Sequence, residues 1–390
     1  MSRSRRQHRA TRHPLTGAIS IAIALGIAPL SAQAQLCVVP DPLGLIDTPG
    51  SAVGVTVVGS VAYVADGGGR SGLQIFDVSD PALPFWLGTY DAQDRAREVA
   101  IVGDTAYLAD FTAGLQIIGV GDPTNPISLG VYNTPGVVQS VAVVNGTAYV
   151  ADSGAGLQII DVRVPASTLL LGSYDTPGSA NGVRVVGGVA YVADSTTGLL
   201  MIDVTSPGSP TLLGTYNTPG SALAVRVVGG VAYVADSNSG LLIIDVSDPT
   251  QPSLLGSYNT PGSAKGLSVA GNTAYVADFT GGLQIVNVSD PTLPVLHGEA
   301  STAGNASGVT VIGNTAYMAV EGAGLQLFDV TDDCARCPAD INGDGFLDNG
   351  DIGAFVNLFL AGDMAADMNS DGILDNGDIS TFINLFLAGC

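Results

Sequence analysis

Short apolar runs recur along the chain at a fixed spacing, each bounded by glycine, proline or aspartate. The string Ala-Tyr-Val-Ala-Asp, or a near copy, begins at Ala62, Ala106, Ala148, Ala190, Ala232, Ala274 and Ala316, at one interval of 44 residues and five of 42. Within one unit the runs predict four strands: A at residues 183–186, B at 190–193, C at 199–204 and D at about 212–216. Gly187-Gly188 reads as the hairpin turn between A and B, and a proline-rich connection precedes D. A repeat of about 40–45 residues carrying four short strands is the signature of a β-propeller, whose units are too small to bury their own faces and must stack.

The ends of the repeat predict how the ring closes. The repeats start on a strand D (residues 43–46, followed by Thr48-Pro49-Gly50) and finish on a strand C (residues 325–330). The N-terminal strand should therefore complete a seventh blade and remove an open edge. Cys37 precedes that strand and Cys334 follows the last one. A Cys37–Cys334 disulfide would lock the closure, for which the chain-entropy view gives roughly 5 to 6 kcal/mol at most. With Leu-Gln-Ile-Ile-Asp-Val at 157–162 and Leu-Leu-Ile-Ile-Asp-Val at 241–246, the units resemble LVIVD-repeat propellers across about residues 43–330. That resemblance implies a fold and a bacterial surface or secreted location, and no defined activity.

The first 34 residues change the picture of where the chain works. Five arginines and no acid precede an apolar stretch at residues 15–30, and Ala32-Gln33-Ala34 is a cleavage signal. This predicts a signal peptide at 1–34, an extracytoplasmic or cell-surface product, and no membrane span after cleavage. Removing it leaves eight basic residues against 35 acids, a formal charge of −27. Such a surface repels nucleic acid and anionic membranes. The four cysteines, Cys37, Cys334, Cys337 and Cys390, are an even number in an exported chain and point to two disulfides.

In a propeller the D–A and B–C connections share one face. The aspartates ending strand B (Asp66, Asp110, Asp152, Asp194, Asp236 and Asp278) should lie there, either as an acidic ring or as local hydrogen-bond acceptors, with Val320-Glu321 breaking the pattern in blade seven. Residues that differ between blades are the better recognition candidates. Two positions before the first apolar residue of strand A stand Val53, Arg97, Gln139, Asn181, Leu223, Lys265 and Ser307, with Glu98 beside Arg97. Arg97, Glu98 and Lys265 are thus candidate ligand contacts near the axis. Arg184 and Arg226, at equivalent sites in strand A, are expected to pair with acids. After cleavage one histidine, His297, remains, and no Gly-x-Ser-x-Gly context accompanies it, which argues against a Ser-His-Asp hydrolase.

Beyond the repeats the pattern changes. Asp340, Asn342, Asp344, Phe346, Asp348 and Asp351 occupy positions 1, 3, 5, 7, 9 and 12 of a calcium loop, Phe346 through its carbonyl. Twenty-seven residues later Asp367, Asn369, Asp371, Ile373, Asp375 and Asp378 repeat it. Each loop leads into a predicted helix with an apolar stripe, Ile352, Phe355, Val356 and Phe359, then Ile379, Phe382, Ile383 and Phe386. The halves can pack together only if Ca2+ neutralises the carboxylates, so metal binding and folding are expected to be coupled. Residues 337–390, opening near Cys-Pro-Ala-Asp and ending in Gly-Cys, resemble a dockerin of the GC type. The resemblance implies two calcium ions and a protein partner. Cys337–Cys390, Cys334–Cys337 and Cys390 as an anchoring point stay open as pairings. Loop positions 10 and 11 are Asn349-Gly350 and Asn376-Gly377, not the hydroxyl-rich pairs of cohesin-binding dockerins.

The sequence thus predicts an all-β seven-bladed propeller over 35–333 and a small all-α double calcium-loop domain over 334–390. Its expected role is that of a monomeric, non-enzymatic binding or scaffold protein. The alternative is a propeller hydrolase or lyase acting on carbohydrate and tethered by the C-terminal module.

Overall fold

The computed structural model describes residues 40–68, 71–331, 341, 349–368 and 373–388. The predicted signal peptide and Cys37, Cys334, Cys337 and Cys390 lie outside the described residues, and so do both disulfide expectations.

Seven four-stranded antiparallel sheets make up the repeats. The sheet of β14 (Gly182–Val186), β15 (Val189–Ala193), β16 (Leu199–Asp203) and β17 (Thr211–Tyr216) shows how the sequence builds one blade. Its first hairpin turns on Gly187 and Gly188, with φ of 59° and 81°. Two successive left-handed residues give the turn whose twist matches the strands, and glycine adopts them without a Cβ clash. β15 and β16 are buried almost end to end, because the neighbouring blades cover both faces of the sheet. This is why they read as continuous apolar runs and not as alternating ones. β17 forms the outer edge and is largely exposed. The strands run within two residues of their expected limits.

Each of seven apolar clusters joins two consecutive blades. One combines Tyr149, Ala151, Leu157 and Ile159 with Val183, Ala190, Val192 and Ile202. Tyr90, Tyr132, Tyr174, Tyr216 and Tyr258 pack at the edges of such clusters, between the blades. Blades also interlock through strand D: a Cβ on Gly214 would stand 2.4 Å from the Pro249 carbonyl oxygen of the next blade.

The ring closes as the sequence predicts. β1 (Asp41–Ile46) pairs with β28 (Gly324–Asp329), which continues to β27 (Thr315–Glu321) and β26 (Asn305–Ile312). A cluster of Tyr317, Ala319, Leu325 and Leu327 with Val55, Val57, Val64 and Phe76 seals the last interface. At the axis Thr310 Oγ1 donates to the Val55 carbonyl at 2.7 Å, as Thr56 Oγ1 does to Val99.

The C-terminal segment holds two helices, α1 (Asn349–Ala361) and α2 (Asn376–Ala388). Phe355 and Phe382 stack with centroids 4.2 Å apart and planes 2° from parallel. Leu358, Phe359, Ile379, Phe386, Met368, Leu374 and Ile341 surround them. The expected stripes are corrected in part: Ile352, Val356 and Ile383 are 40–46 % exposed, because helix crossing at the phenylalanine pair turns these positions outward.

Candidate ligand-binding channel

Strands A surround the axis, and one mouth of the channel opens into a cavity of about 470 Å³. All seven of the blade-variable positions line it: Val53, Arg97, Gln139, Asn181, Leu223, Lys265 and Ser307. Glu98, Arg226, Phe279 and Glu321 join them. The convergence follows from topology. The residue entering strand A is the innermost point of each blade, so a ring of seven blades puts seven such residues at one mouth. Where that entry needs close approach, glycine provides it: a Cβ on Gly182 would lie 2.8 Å from the Leu223 carbonyl oxygen.

The cavity carries a specific pattern of charge. Glu98 accepts a hydrogen bond from Arg184 Nη2 at 3.0 Å, joining blade two to blade four across the channel. Arg226, the equivalent of Arg184 in blade five, donates instead to the neighbouring Val225 carbonyl at 3.1 Å. Among the described residues it has no ion pair, contrary to expectation. Poor solvation in the channel and the nearby Arg184 charge lower its pKa to about 9, opposed by Glu98. Among the described residues the buried Arg97 Nε has no hydrogen-bond partner, and its guanidinium lies 4.8 Å from the Phe111 ring centroid. Burial, then repulsion from Arg95, lowers the Arg97 pKa, while Glu321 and Asp94 raise it. Lys265 Nζ stands 5.2 Å from the Phe279 centroid. Glu321 accepts from Ser307 Oγ at 2.6 Å.

Phe111 and Phe279 are functional candidates that the sequence reasoning missed. Both follow the aspartate of strand B, where other blades carry Gly67, Ser153, Ser195, Ser237 and Glu321. Comparing that position between blades would have found them. Both hold left-handed φ angles of 39° and 47°, which bulky residues rarely adopt and which cost about 1–2 kcal/mol each.

The repeated aspartates are not an open acidic ring. Asp66, Asp110, Asp152, Asp194, Asp236 and Asp278 are fully buried. Each accepts the backbone N–H of the connector leading into its own blade, such as Gly50 at 2.8 Å for Asp66 and Gly178 at 2.7 Å for Asp194. Asp152 and Asp278 also accept from Thr134 and Thr260. Blade seven has Val320 here, and its connector is held by Gln326 Oε1 accepting from Ala303 N at 2.9 Å.

In the C-terminal segment Asp351, Asp367, Ile373, Asp375 and Asp378 are described, whereas Asp340, Asn342, Asp344, Phe346, Asp348, Asn369 and Asp371 lie outside the described residues. Asp351 and Asp378, the twelfth positions, are fully buried in the first turns of α1 and α2. Asp378 accepts from Asp375 N at 2.9 Å, and Asp375 from Gly377 N at 2.6 Å, which fixes the loop exit against the helix. The chain from residue 337 onward has no Lys, Arg or His.

A profile of the LVIVD repeat matches residues 49–92, 94–134, 135–176, 177–218, 219–260, 261–302 and 303–334. No curated protein matches the chain. Among solved structures the chain is similar to the computationally designed Ika8 protein, with TM-score 0.56 and 8% identity over 74% of this chain and 100% of that one. It is also similar to the β-propeller domain of Cps50 (Swd1) from Myceliophteria thermophila, with TM-score 0.59 and 11% identity over 75% and 100%. Raptor from Chaetomium thermophilum aligns with TM-score 0.61 and 12% identity over 77% of this chain and 30% of that one. Identities this low speak for the fold alone.

Proposed function

The chain belongs to the LVIVD-repeat family, and on that premise we propose that it is an exported, non-enzymatic binding protein whose channel mouth is the recognition surface. One observation carries the reading: every blade-variable entry position faces the same cavity, while the groups repeated in every blade are consumed by the scaffold. A seven-bladed propeller is an interaction platform, and no helix among the described residues is long and apolar enough to cross a membrane. The signal-peptide pattern at 1–34 supports export.

The C-terminal segment is proposed to be a dockerin-like module that binds two Ca2+ ions and attaches the propeller to a surface partner or complex. Its duplicated loops and the stacked Phe355–Phe382 pair support this. Ile352, Val356 and Ile383, exposed on the helices, offer an apolar contact for that partner. The carbohydrate-enzyme reading is the weaker one. Of the two cavity carboxylates, Glu98 is tied to Arg184 and Glu321 to Ser307, so neither is poised as a free base.

The test is capture from the native secretome with the exported chain, an Asn181→Ala/Gln139→Ala variant at the mouth, and a Trp86→Ser variant at the outer edge. Partners lost with the mouth variant and retained with the edge variant support the proposal. Partners insensitive to the mouth variant, with or without chelator, refute it.

A further inference from the structure

We infer that the channel mouth is a binding site for a small organic acid, a carboxylate on an apolar body, with Arg226, Arg97 and Lys265 as the cationic contacts. This deepens the recognition reading of the mouth and rests on it.

The chain is strongly acidic, with a formal charge of −22. Yet of the six described Lys and Arg residues, five (Arg95, Arg97, Arg184, Arg226 and Lys265) lie in or beside the channel, and Arg163 alone sits elsewhere. A scaffold selected only for solubility would spread its few cations over the surface. Inside the cavity Glu98 is spent on Arg184 and Glu321 is the remaining acid, so Arg97, Arg226 and Lys265 leave a local surplus of positive charge.

Among the described residues two of these cations have unmet bonding capacity. Arg226 uses only a backbone carbonyl, and Arg97 Nε has no acceptor although it is shielded from solvent. A poorly solvated guanidinium without a carboxylate is costly, and a bound anion offsets that cost. Cation-bearing walls in a narrow channel also focus the field, which lets an anion enter a protein of negative net charge.

The lining selects the class of anion. A guanidinium fork matches a carboxylate bidentately, and Gln139 and Asn181 add amide donors to the lining. The other lining side chains are mixed: Val53, Leu223 and the Phe279 ring are the partly exposed apolar ones, beside Ser307, Glu98 and Glu321, while Val55, Val183, Val225, Leu267 and Val309 are buried between the blades. Val53, Leu223 and the Phe279 ring can cover a hydrocarbon body, which inorganic phosphate lacks. A cavity of about 470 Å³ suits a small ligand and excludes a folded chain or a duplex.

Calorimetry on the full exported chain with calcium present tests this, using benzoate, succinate, inorganic phosphate and neutral succinamide as probes. Saturable one-to-one binding of benzoate or succinate, none of succinamide, and weakening by added salt is the expected result. Arg226→Met and Arg97→Gln should each raise Kd at least roughly tenfold, whereas Arg163→Gln, at the outer surface, should leave it unchanged. Unaltered circular dichroism and melting verify folding, and Lys265→Gln serves as a third variant if one fails to fold. No saturable binding of either carboxylate, phosphate binding more tightly than both, or affinity unaltered in the folded variants overturns the inference. A partner that still docks on the mouth while the carboxylates do not bind would remove the anion site and leave the recognition surface standing.

Discussion

Replacing Asp152 by alanine should loosen the connector that enters blade three. The carboxylate is fully buried. Its two oxygens accept from Thr134 Oγ1 and Gly136 N, each at 2.8 Å. Hydrogen bonds to a charged acceptor contribute about 1.5–3 kcal/mol each, a gross figure of about 3–6 kcal/mol. Burial works against this: desolvation raises the Asp152 pKa more than the two bonds lower it. The expected net loss is therefore about 2–4 kcal/mol. Asp152→Asn keeps one acceptor and removes the cost of burying charge, so it should lose about 1 kcal/mol. Blade seven is a natural precedent, since it dispenses with the aspartate but supplies Gln326 to the same connector. Urea unfolding followed by Trp86, the single tryptophan, gives the comparison, with exposed Asp175→Ala as the control. If Asp152→Ala shifts the midpoint no further than Asp175→Ala, or Asn is as damaging as Ala, the clamp reasoning is wrong.

Gly172→Ala should destabilise by about 1–3 kcal/mol or more, because its Cβ would meet the Pro207 carbonyl oxygen at 2.2 Å, whereas Gly187→Ala meets no atom and should lose only the turn preference of about 1 kcal/mol; melting temperatures check the order. Thr310→Val should lose about 1 kcal/mol at the ring closure through its bond to Val55, measured by the same unfolding assay. Burial holds the pKa of Asp66, Asp110, Asp152, Asp236 and Asp278 above the 3.8 of an unfolded aspartate. Their stabilising effect is full below 3.8 and is lost as pH rises through the folded values, so Trp86 unfolding midpoints should rise from pH 7 toward pH 4; a steady fall over that range contradicts the burial account. Half-buried Asp77 and Asp203 and exposed Asp122, held low first by their Ser or Thr hydroxyl neighbours, act oppositely and lose their contribution only as pH falls below 3.8. For the C-terminal segment, calcium titration should give two ions, with Asp340→Ala and Asp367→Ala each losing one, and Phe355→Ala should abolish calcium-dependent folding by removing about 3–5 kcal/mol of packing; unchanged binding in the aspartate variants refutes the calcium assignment.

The ring was legible from the sequence alone: Ala-Tyr-Val-Ala-Asp and its near copies, seven in all at near-constant spacing, leave no other burial for such short strands, and the unpaired D strand at the start required the closure seen between β1 and β28. Local chemistry was legible for the same reason, since glycine pairs and aspartate-terminated strands act within a few residues of themselves. It also placed Arg97, Glu98 and Lys265 near the axis, because an entry position repeats with the blade. What it could not decide was how side chains from separate blades share space. Arg184 and Arg226 are equivalent in sequence, yet one reaches Glu98 across the channel, 86 residues away, and the other finds only a carbonyl. The strand-B aspartates left an acidic ring open beside local clamps until packing buried them. Ile352 and Val356 carry helical periodicity but point outward, because the register of one helix on another is set by the Phe355–Phe382 stack. Periodic signals encode contacts between neighbours in the chain; which charge is left unpaired depends on distances that only the closed ring creates.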